Sequence, residues 1–446
     1  MARGAEMRTS RREFLQLATA GAALAATSGV AQADLAAPPK PLAPVVTVNL
    51  GGPDFGKLKA GAKYIARVRP HRNGGVRLER ADPVASPGGI KQIIHNYGHS
   101  GAGITLSFGC AAEVVRLVRQ VLAETGTSAS PPPVAILGTG IIGLTVATEL
   151  RRAWPALALN IYAKDLNIRN TTSYFAGGQF APSQIFKQYK TKKDRAILIG
   201  YLKGSQQRLE EIAKLDPGGR VFGVKKAVRN YSLFPDDALD LAIDAAVLAD
   251  ARAEVNLSLN NTLHSGHLYR TWLMDPTILL PKLAADLNRP GVKFVKKTFK
   301  TREDILALGE SIIINCTGYG AAALMQDADM EPHRGHLVVL KNPAKLDYLF
   351  SGGCGLSSTG DPTTISYLFA RQNDIVVGGT VSDPAPGDKE NYPKWYKAQE
   401  RDFFDARDPA DVETASALLA NAAKIFSGAP ETCKPPPSAS ATKLTG

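Results

Sequence analysis

The chain has 446 residues, 44% of them hydrophobic and 21% charged, which is the balance of an ordinary globular protein. That length exceeds one small core and points to about two or three domains or subdomains. The formal charge is +12, yet no Lys/Arg run and no interleaving of basic with aromatic residues marks a nucleic-acid surface; a solvated basic exterior or a taste for anionic ligands remains.

The chain opens with Ser10-Arg11-Arg12-Glu13-Phe14-Leu15, a weakly apolar stretch over 15–30, and the small-residue triplet Ala31-Gln32-Ala33. This pattern predicts a twin-arginine export signal over residues 1–33, and with it a periplasmic or extracellular protein. The stretch is rich in Ala, Gly and Thr and is a poor membrane span; no other segment suggests stable membrane insertion. The twin-arginine route carries folded proteins, often around a cofactor. Its four Arg and two Glu carry +2, which leaves +10 on the remainder.

Residues 34–60 are Pro-, Ala- and Gly-rich and read as a tether. A strand-like pattern follows over 64–80, broken by a turn at Asn73-Gly74-Gly75. A glycine-rich loop spans 97–103. Residues 110–125 read as a helix, with Val114, Leu117, Val118, Val121 and Leu122 on one face and Gly126 at its stop. Thr127-Ser128-Ala129-Ser130-Pro131-Pro132-Pro133 is a linker by composition.

Beyond the linker, Val134-Ala135-Ile136-Leu137 reads as a short buried strand. Gly138-Thr139-Gly140-Ile141-Ile142-Gly143 is the turn, 144–153 the helix, and Leu159-Asn160-Ile161-Tyr162 the next strand. A GxGxxG match gains its meaning from this strand–turn–helix setting. Gly138 permits the tight turn, Gly140 lets backbone approach a pyrophosphate, and Gly143 lets helix and strand pack closely. The helix amino end, with Ile141 and Ile142, then offers N–H groups and partial positive charge to the phosphates. An acidic residue should follow the second strand to bind ribose hydroxyls; Asp165 is the candidate, with Lys164 beside it, and a loop-opening Asp is the plainer alternative. The loop Thr171-Thr172-Ser173-Tyr174-Phe175-Ala176-Gly177-Gly178-Gln179 supplies hydroxyls and glycine N–H groups suited to a phosphate or flavin edge. Further on, Ile312-Ile313-Ile314 is another all-apolar strand, ending in Asn315-Cys316-Thr317-Gly318; such two-sided strands belong to a covered parallel sheet.

Cys110, Cys316, Cys354 and Cys433 form no CxxC pair, so no structural zinc site is expected; Cys354 with Cys433 is a permitted disulfide. His264/His267 and His333/His336 have HxxH spacing without an acidic cluster in the sequence, so they read as surface or loop histidines and no metal is expected. No nucleophile elbow is present.

These stretches together resemble the D-amino-acid oxidase family of FAD-dependent oxidoreductases. Residues 134–150 resemble its opening FAD strand and turn, 171–182 its Thr-Thr…Ala-Gly loop, Ile314-Asn315-Cys316-Thr317-Gly318 its Asn-Cys-Thr-Gly strand end, and Arg334-Gly335-His336 the turn after it. Arg69-Pro70-His71-Arg72 resembles an Arg-Pro-x-Arg segment. His95-Asn96-Tyr97-Gly98-His99-Ser100-Gly101-Ala102-Gly103-Ile104-Thr105 resembles the His-Asn-Tyr-Gly-His-Gly-Gly signature. The last two segments usually end the chain but here precede the GxGxxG strand, so the order reads as a circular permutation. Residues 127–133 bridge roughly 20–25 Å when extended, and termini of compact domains often lie close.

The resemblance implies FAD as cofactor. It implies that Ser100, Gly101, Gly103, Ile104 and Thr105 form a loop leading to a helix that faces the flavin's N1–C2 edge, where a helix amino end stabilises the charge of reduced flavin. It places Phe299 at the cofactor. Arg69 falls where the family binds the substrate carboxylate, for which a guanidinium fork is suited; a structural or surface arginine is the bland alternative. Tyr367 falls where a tyrosine hydroxyl assists, or else is a core tyrosine, and Gly101 is counted with these two at the reacting centre. Departures from the family are Thr363 for a second tyrosine, Lys164 for the acidic ribose ligand, and Gln179-Phe180 for an apolar-aromatic pair.

The expected fold is α/β: a Rossmann-type FAD-binding domain plus a discontinuous α+β substrate domain with a mostly antiparallel sheet. The expected segments are 61–126 (permuted piece), 134–198 and 291–335 (FAD domain), 199–290 and 336–430 (substrate domain), and 431–446 (disordered tail). The implied reaction is oxidation of the Cα–N bond of a D-amino acid or related amine by hydride transfer to flavin N5, giving an oxo acid and ammonia, with oxygen or an electron carrier reoxidising the flavin. Two alternatives are an NAD(P)-dependent Rossmann dehydrogenase and an exported flavin- or ligand-binding protein without turnover.

Overall fold

Two four-residue strands set the architecture. Val134–Leu137 and Ile312–Asn315 are buried on both faces, which only a sheet covered on each side allows. In the computed structural model, which describes residues 45–354, 356–357, 365–381 and 403–429, they are neighbours in one sheet. Its strand order is Val292–Lys296, Leu159–Ala163, Val134–Leu137, Ile312–Asn315, Gly89–Tyr97, and every one of these pairings is parallel. Arg77–Arg80 and Val84–Ser86 add antiparallel pieces to Gly89–Tyr97. Thus residues that precede the glycine turn complete its sheet. They also complete its helix layer: Gly103–Glu124 packs on Ile141–Ala153 and on Lys192–Leu215.

The second sheet has nine strands, in the order Val46–Asn49, Ala253–Leu259, Thr262–Met274, Val224–Ser232, Leu349–Cys354, Ile365–Ala370, Asp374–Gly378, Met330–Lys341, Lys63–Arg72. It is mostly antiparallel, with two parallel pairings. The helix Pro409–Phe426 covers one face and shares a core with Val338, Leu340, Phe350 and Leu368. Asp411 pins that helix down: it accepts hydrogen bonds from Arg334 Nη2 at 2.8 Å and pairs with His336 Nε2 at 2.7 Å. Burial works to raise this carboxyl's pKa, but the bonds from Arg334, the Asp405 N–H and His336 hold it well below the usual range.

Several expectations need correction. Val46–Asn49 pairs with Val255–Ser258 and Phe55–Leu58 is a short helix, so the stretch from Val46 to Ala60 is not a tether; its Pro and Gly content masked a Val-Thr-Val-Asn strand. The helix expected over 110–125 begins at Gly103, and the one expected from Leu144 begins at Ile141, because tertiary packing overrides the poor helix propensity of their Gly, Ser and Thr. Gly103, Ile104 and Thr105 are therefore in the first helical turn rather than in a preceding loop. Arg334-Gly335-His336 is no turn but the middle of the strand Met330–Lys341. The segment boundaries at 198/199 and 335/336 fall inside a helix and a strand. Residues 1–44, Thr363, Cys433 and 431–446 lie outside the described residues, as does the side chain of Cys354.

Candidate cofactor and substrate site

A cavity of about 930 Å³ opens at the carboxyl ends of the parallel strands, where open α/β sheets bind their ligands. It is lined by Gly138, Gly140, Ile141, Ile142, Lys164, Asp165, Thr171, Thr172, Ser173, Gly177, Gly178, Phe299, Ser100, Gly101, Gly103, Ile104, Thr105, Arg69 and Tyr367. Of the residues expected from the sequence at the cofactor or the reacting centre, Gly143 alone is not on this wall.

Gly138 and Gly143 take the steric tasks expected of them in the turn. Gly138 has φ +116°, and a Cβ there would meet the Cys316 carbonyl oxygen at 2.5 Å. A Cβ on Gly143 would run into the Gly138 backbone, so this glycine seats the helix on the strand. Gly140 has ordinary φ −70° and only Ser173 Oγ, at 3.4 Å, near its missing side chain; what it provides is open space on the cavity side. The N–H of Ile141 is not open, however. It donates to Ser173 Oγ at 3.1 Å, so a hydroxyl from the second loop sits at the helix amino end.

Most loop hydroxyls are similarly engaged. Thr105 Oγ1 donates to Ala181 O at 2.9 Å, Thr171 Oγ1 to Ile168 O at 2.6 Å, and Thr172 Oγ1 to Val68 O at 3.2 Å. Ser100 Oγ accepts the N–H of Arg72, and Ser100 N donates to Pro70 O at 3.0 Å. These bonds tie the loops to one another and to the strand Lys63–Arg72. Asp165 accepts from Asn170 Nδ2 at 2.6 Å and Asn167 N at 2.9 Å; the Asn170 bond above all lowers its pKa. It orders the following turn, and it also borders the cavity beside Lys164. Phe299 packs edge-on to Tyr162, with ring centroids 5.8 Å apart.

Three buried polar atoms point to a ligand. Both amide atoms of Asn96 and Nε2 of His99 find no hydrogen-bond partner among the described residues, and both residues line the cavity. Such orphans are costly unless a ligand or water completes them. Burial pushes His99 down to about 3 and, with help from Arg77, His95 down to about 4, so both imidazoles are neutral near pH 7. Two helix starts, at Gly103 and Ile141, converge on the same space. Apart from the engaged Ile141 N–H, the amide groups of these helix ends, the bare Gly140 and the Asn96 amide fit a large anionic dinucleotide with a polar ring system.

The far end of the cavity is built from the second sheet. Arg69 lies on Lys63–Arg72 and Tyr367 on Ile365–Ala370. The Tyr367 ring stacks on Phe369 with centroids 4.4 Å apart, and burial raises its hydroxyl pKa. A Cβ on Gly101 would lie 3.3 Å from Cδ of Arg69, so the loop before the Gly103 helix touches the arginine stem. Two further charged residues on the wall are Arg67, stacked over Phe175 at 4.7 Å, and Asp236, which burial pushes up to about 6. Arg67 was legible from its spacing, since residues i and i+2 of a strand share a face. Asp236 comes from a distant loop and carried no signal. Arg72, the other neighbouring arginine, pairs with Asp327 at 3.0 Å and Asp329 at 2.9 Å instead. Gln179 borders the cavity, but Phe180 is buried in the core.

Neither HxxH pair converges, because a spacing of three puts two strand residues on opposite faces. His333 stacks on His71 at 4.0 Å and lies 3.4 Å from Glu331; these three form the one group among the described residues whose ligand atoms fall within 4.8 Å of one another. Glu331 precedes His333 by two residues on the same strand, and it is the fold that adds His71 to them. Cys110 and Cys316 are free thiols, and burial raises both. No helix among the described residues is long and apolar enough to cross a membrane.

Residues 133–439 match the family described as FAD dependent oxidoreductase. A D-amino-acid oxidase of Streptomyces coelicolor is 25% identical over 252 residues, covering 56% of this chain and 71% of the relative. A D-amino-acid oxidase of Schizosaccharomyces pombe is 26% identical over 274 residues, covering 59% and 73%. Among solved structures, glycine oxidase from Geobacillus kaustophilus matches at 16% identity and a TM-score of 0.40, covering 58% of this chain and 74% of that one.

Proposed function

The chain belongs to the FAD-dependent oxidoreductase family, and from that premise we propose that it oxidises the Cα–N bond of a D-amino acid. One observation carries this reading: a single cavity is lined by the glycine turn and two helix starts together with Arg69 and Tyr367. A carboxylate-bearing amine laid between them presents its Cα to the cofactor.

Gly140, Ile142, Ser173 and the residues around Gly103 would hold FAD, which supplies a two-electron acceptor for the hydrogen leaving Cα. Arg69 binds the substrate carboxylate with its permanently charged fork. Tyr367 keeps its proton, because burial raises its pKa, and donates a hydrogen bond to the same carboxylate. Orientation of the reacting carbon is the protein's main contribution. The substrate's amino group enters neutral. Loss of Cα–H with its electron pair, and then of the nitrogen's proton, leaves an imino acid; water converts it to an oxo acid and ammonia. No side chain is needed as general base. Oxygen or an electron carrier takes up the two electrons afterwards.

The leader motif supports twin-arginine export. The permuted order is supported by the family match, which begins at residue 133 although residues 89–124 complete the same sheet and helix layer. Anaerobic mixing with a panel of D-amino acids tests the function, since an enzyme of this class bleaches its flavin on contact with substrate and a binding protein does not.

A further inference from the structure

The substrate end of the cavity rests on two residues that have no side chain. Gly335 lies inside the strand Met330–Lys341, and Gly378 ends the neighbouring strand Asp374–Gly378. Neither has a left-handed φ, so the backbone would accept alanine at both positions, and glycine is disfavoured in strands. What glycine provides there is space.

That space is taken by the two groups assigned to the substrate carboxylate. A Cβ on Gly335 would lie 2.7 Å from Nη2, 3.0 Å from Cζ and 3.1 Å from Nε of Arg69. Three guanidinium atoms at nearly one distance mean that the group lies flat over bare backbone. A Cβ on Gly378 would fall within the phenol of Tyr367, closest to Cζ and the hydroxyl oxygen. Strand register explains both. Gly378 is the cross-strand partner of Tyr367. Opposite Arg69 stands His333, whose ring is stacked on His71; that ground is filled, and the guanidinium lies over the empty position two residues on. The Tyr367 ring is held on its other side by Phe369, which in turn packs against Gly177 of the cofactor loop.

We infer that Gly335 and Gly378 are positioning residues of the substrate site. They set the height of the Arg69 fork and the Tyr367 hydroxyl above the sheet, and thereby the distance at which a substrate carboxylate is held from the cofactor loop. The inference rests on the reading of Arg69 and Tyr367 as the carboxylate clamp. A methyl group at position 335 meets the far end of a flexible side chain, so the fold absorbs it by moving the guanidinium into the cavity.

The test uses the FAD-loaded protein, with D-alanine as substrate and benzoate, a carboxylate with no oxidisable Cα–H, as a binding probe read by the change in flavin absorbance. Gly335→Ala should keep its flavin and its melting temperature. It should lose roughly 10- to 100-fold in kcat/KM and in benzoate affinity, the scale of a misplacement near 1 Å. In an Arg69→Ala background the same substitution should have no further effect, which a merely structural role would not produce. Gly378→Ala should behave likewise against Tyr367→Ala; if it does not fold, the Gly335 cycle alone decides. Unchanged benzoate affinity and kcat/KM in Gly335→Ala, or an equal loss with and without Arg69, overturns the inference alone. A parent protein that neither binds benzoate nor oxidises any D-amino acid overturns the functional reading, and the inference with it.

Discussion

Ser173 Oγ accepts the backbone N–H of Ile141 at 3.1 Å, so the hydroxyl-rich loop caps the helix that follows the glycine turn. An acceptor oxygen therefore already stands where a phosphate oxygen is expected. Ser173→Ala removes a cap worth about 1 kcal/mol and a hydroxyl from the cofactor wall. FAD affinity should fall roughly fivefold with the fold intact, measured by flavin fluorescence on dilution. Gly140→Val should act more strongly, because its branched side chain enters the open space beside Ser173; flavin should be lost on purification while the far-ultraviolet spectrum is retained.

Acid sensitivity follows from the buried histidines. His99 and His95 titrate at about 3 and about 4 in the folded protein, below the ordinary value near 6.5. Unfolding therefore takes up protons as pH falls below about 6.5, and each histidine withdraws about 1.4 kcal/mol of stability per pH unit. Asp236, raised to about 6, acts oppositely between about 6 and 4. The net loss between pH 6 and 4.5 should be close to one histidine's slope. His99→Asn should flatten this dependence in denaturant titrations; an unaltered slope would remove His99 from the account.

Asp411 is fully buried between Arg334 and His336. Asp411→Asn leaves a buried guanidinium without its carboxylate and should cost about 3–5 kcal/mol of stability. Because neither Arg334 nor Asp411 lines the cavity, flavin content per folded molecule should hold. Chemical unfolding followed by both flavin and tryptophan signals separates these effects.

Replacement of Arg11 and Arg12 by Lys should leave an unprocessed precursor in the cytoplasm, scored by fractionation. Unchanged export of that double variant would remove the twin-arginine assignment.

The turn Gly138–Gly143 was legible because its meaning is local: an apolar strand, three glycines with distinct sterics and a helix all lie within twenty residues. The strand through Arg334, Gly335 and His336 was not. Its alternation is regular, with Met330, Pro332, Arg334, His336, Val338 and Leu340 all buried, but two of the inward residues are charged or polar, and their partner Asp411 lies more than 70 residues away. The same holds for the engaged hydroxyls of Ser100 and Thr105. Their residue types suggested cofactor ligands, while their bonds go to segments distant in sequence. Asn96 was visible only as part of a resemblance; that its amide lacks a partner is a fact of the folded chain.

The central claim is that Arg69 holds a substrate carboxylate beside the flavin. Anaerobic stopped-flow mixing of the FAD-loaded protein with D-amino acids measures this directly, comparing Arg69→Ala, Arg69→Lys and the parent. The parent should bleach with at least one D-amino acid. Arg69→Ala should lose on the order of 2–5 kcal/mol of transition-state binding, roughly 30-fold to several-thousand-fold in kcat/KM, with full flavin content. Arg69→Lys should recover only part of this, since a point charge does not replace a fork. Reduction of Arg69→Ala by every D-amino acid at the parent's rate and affinity would contradict the account and pass the role to Arg67, the other arginine on the cavity wall.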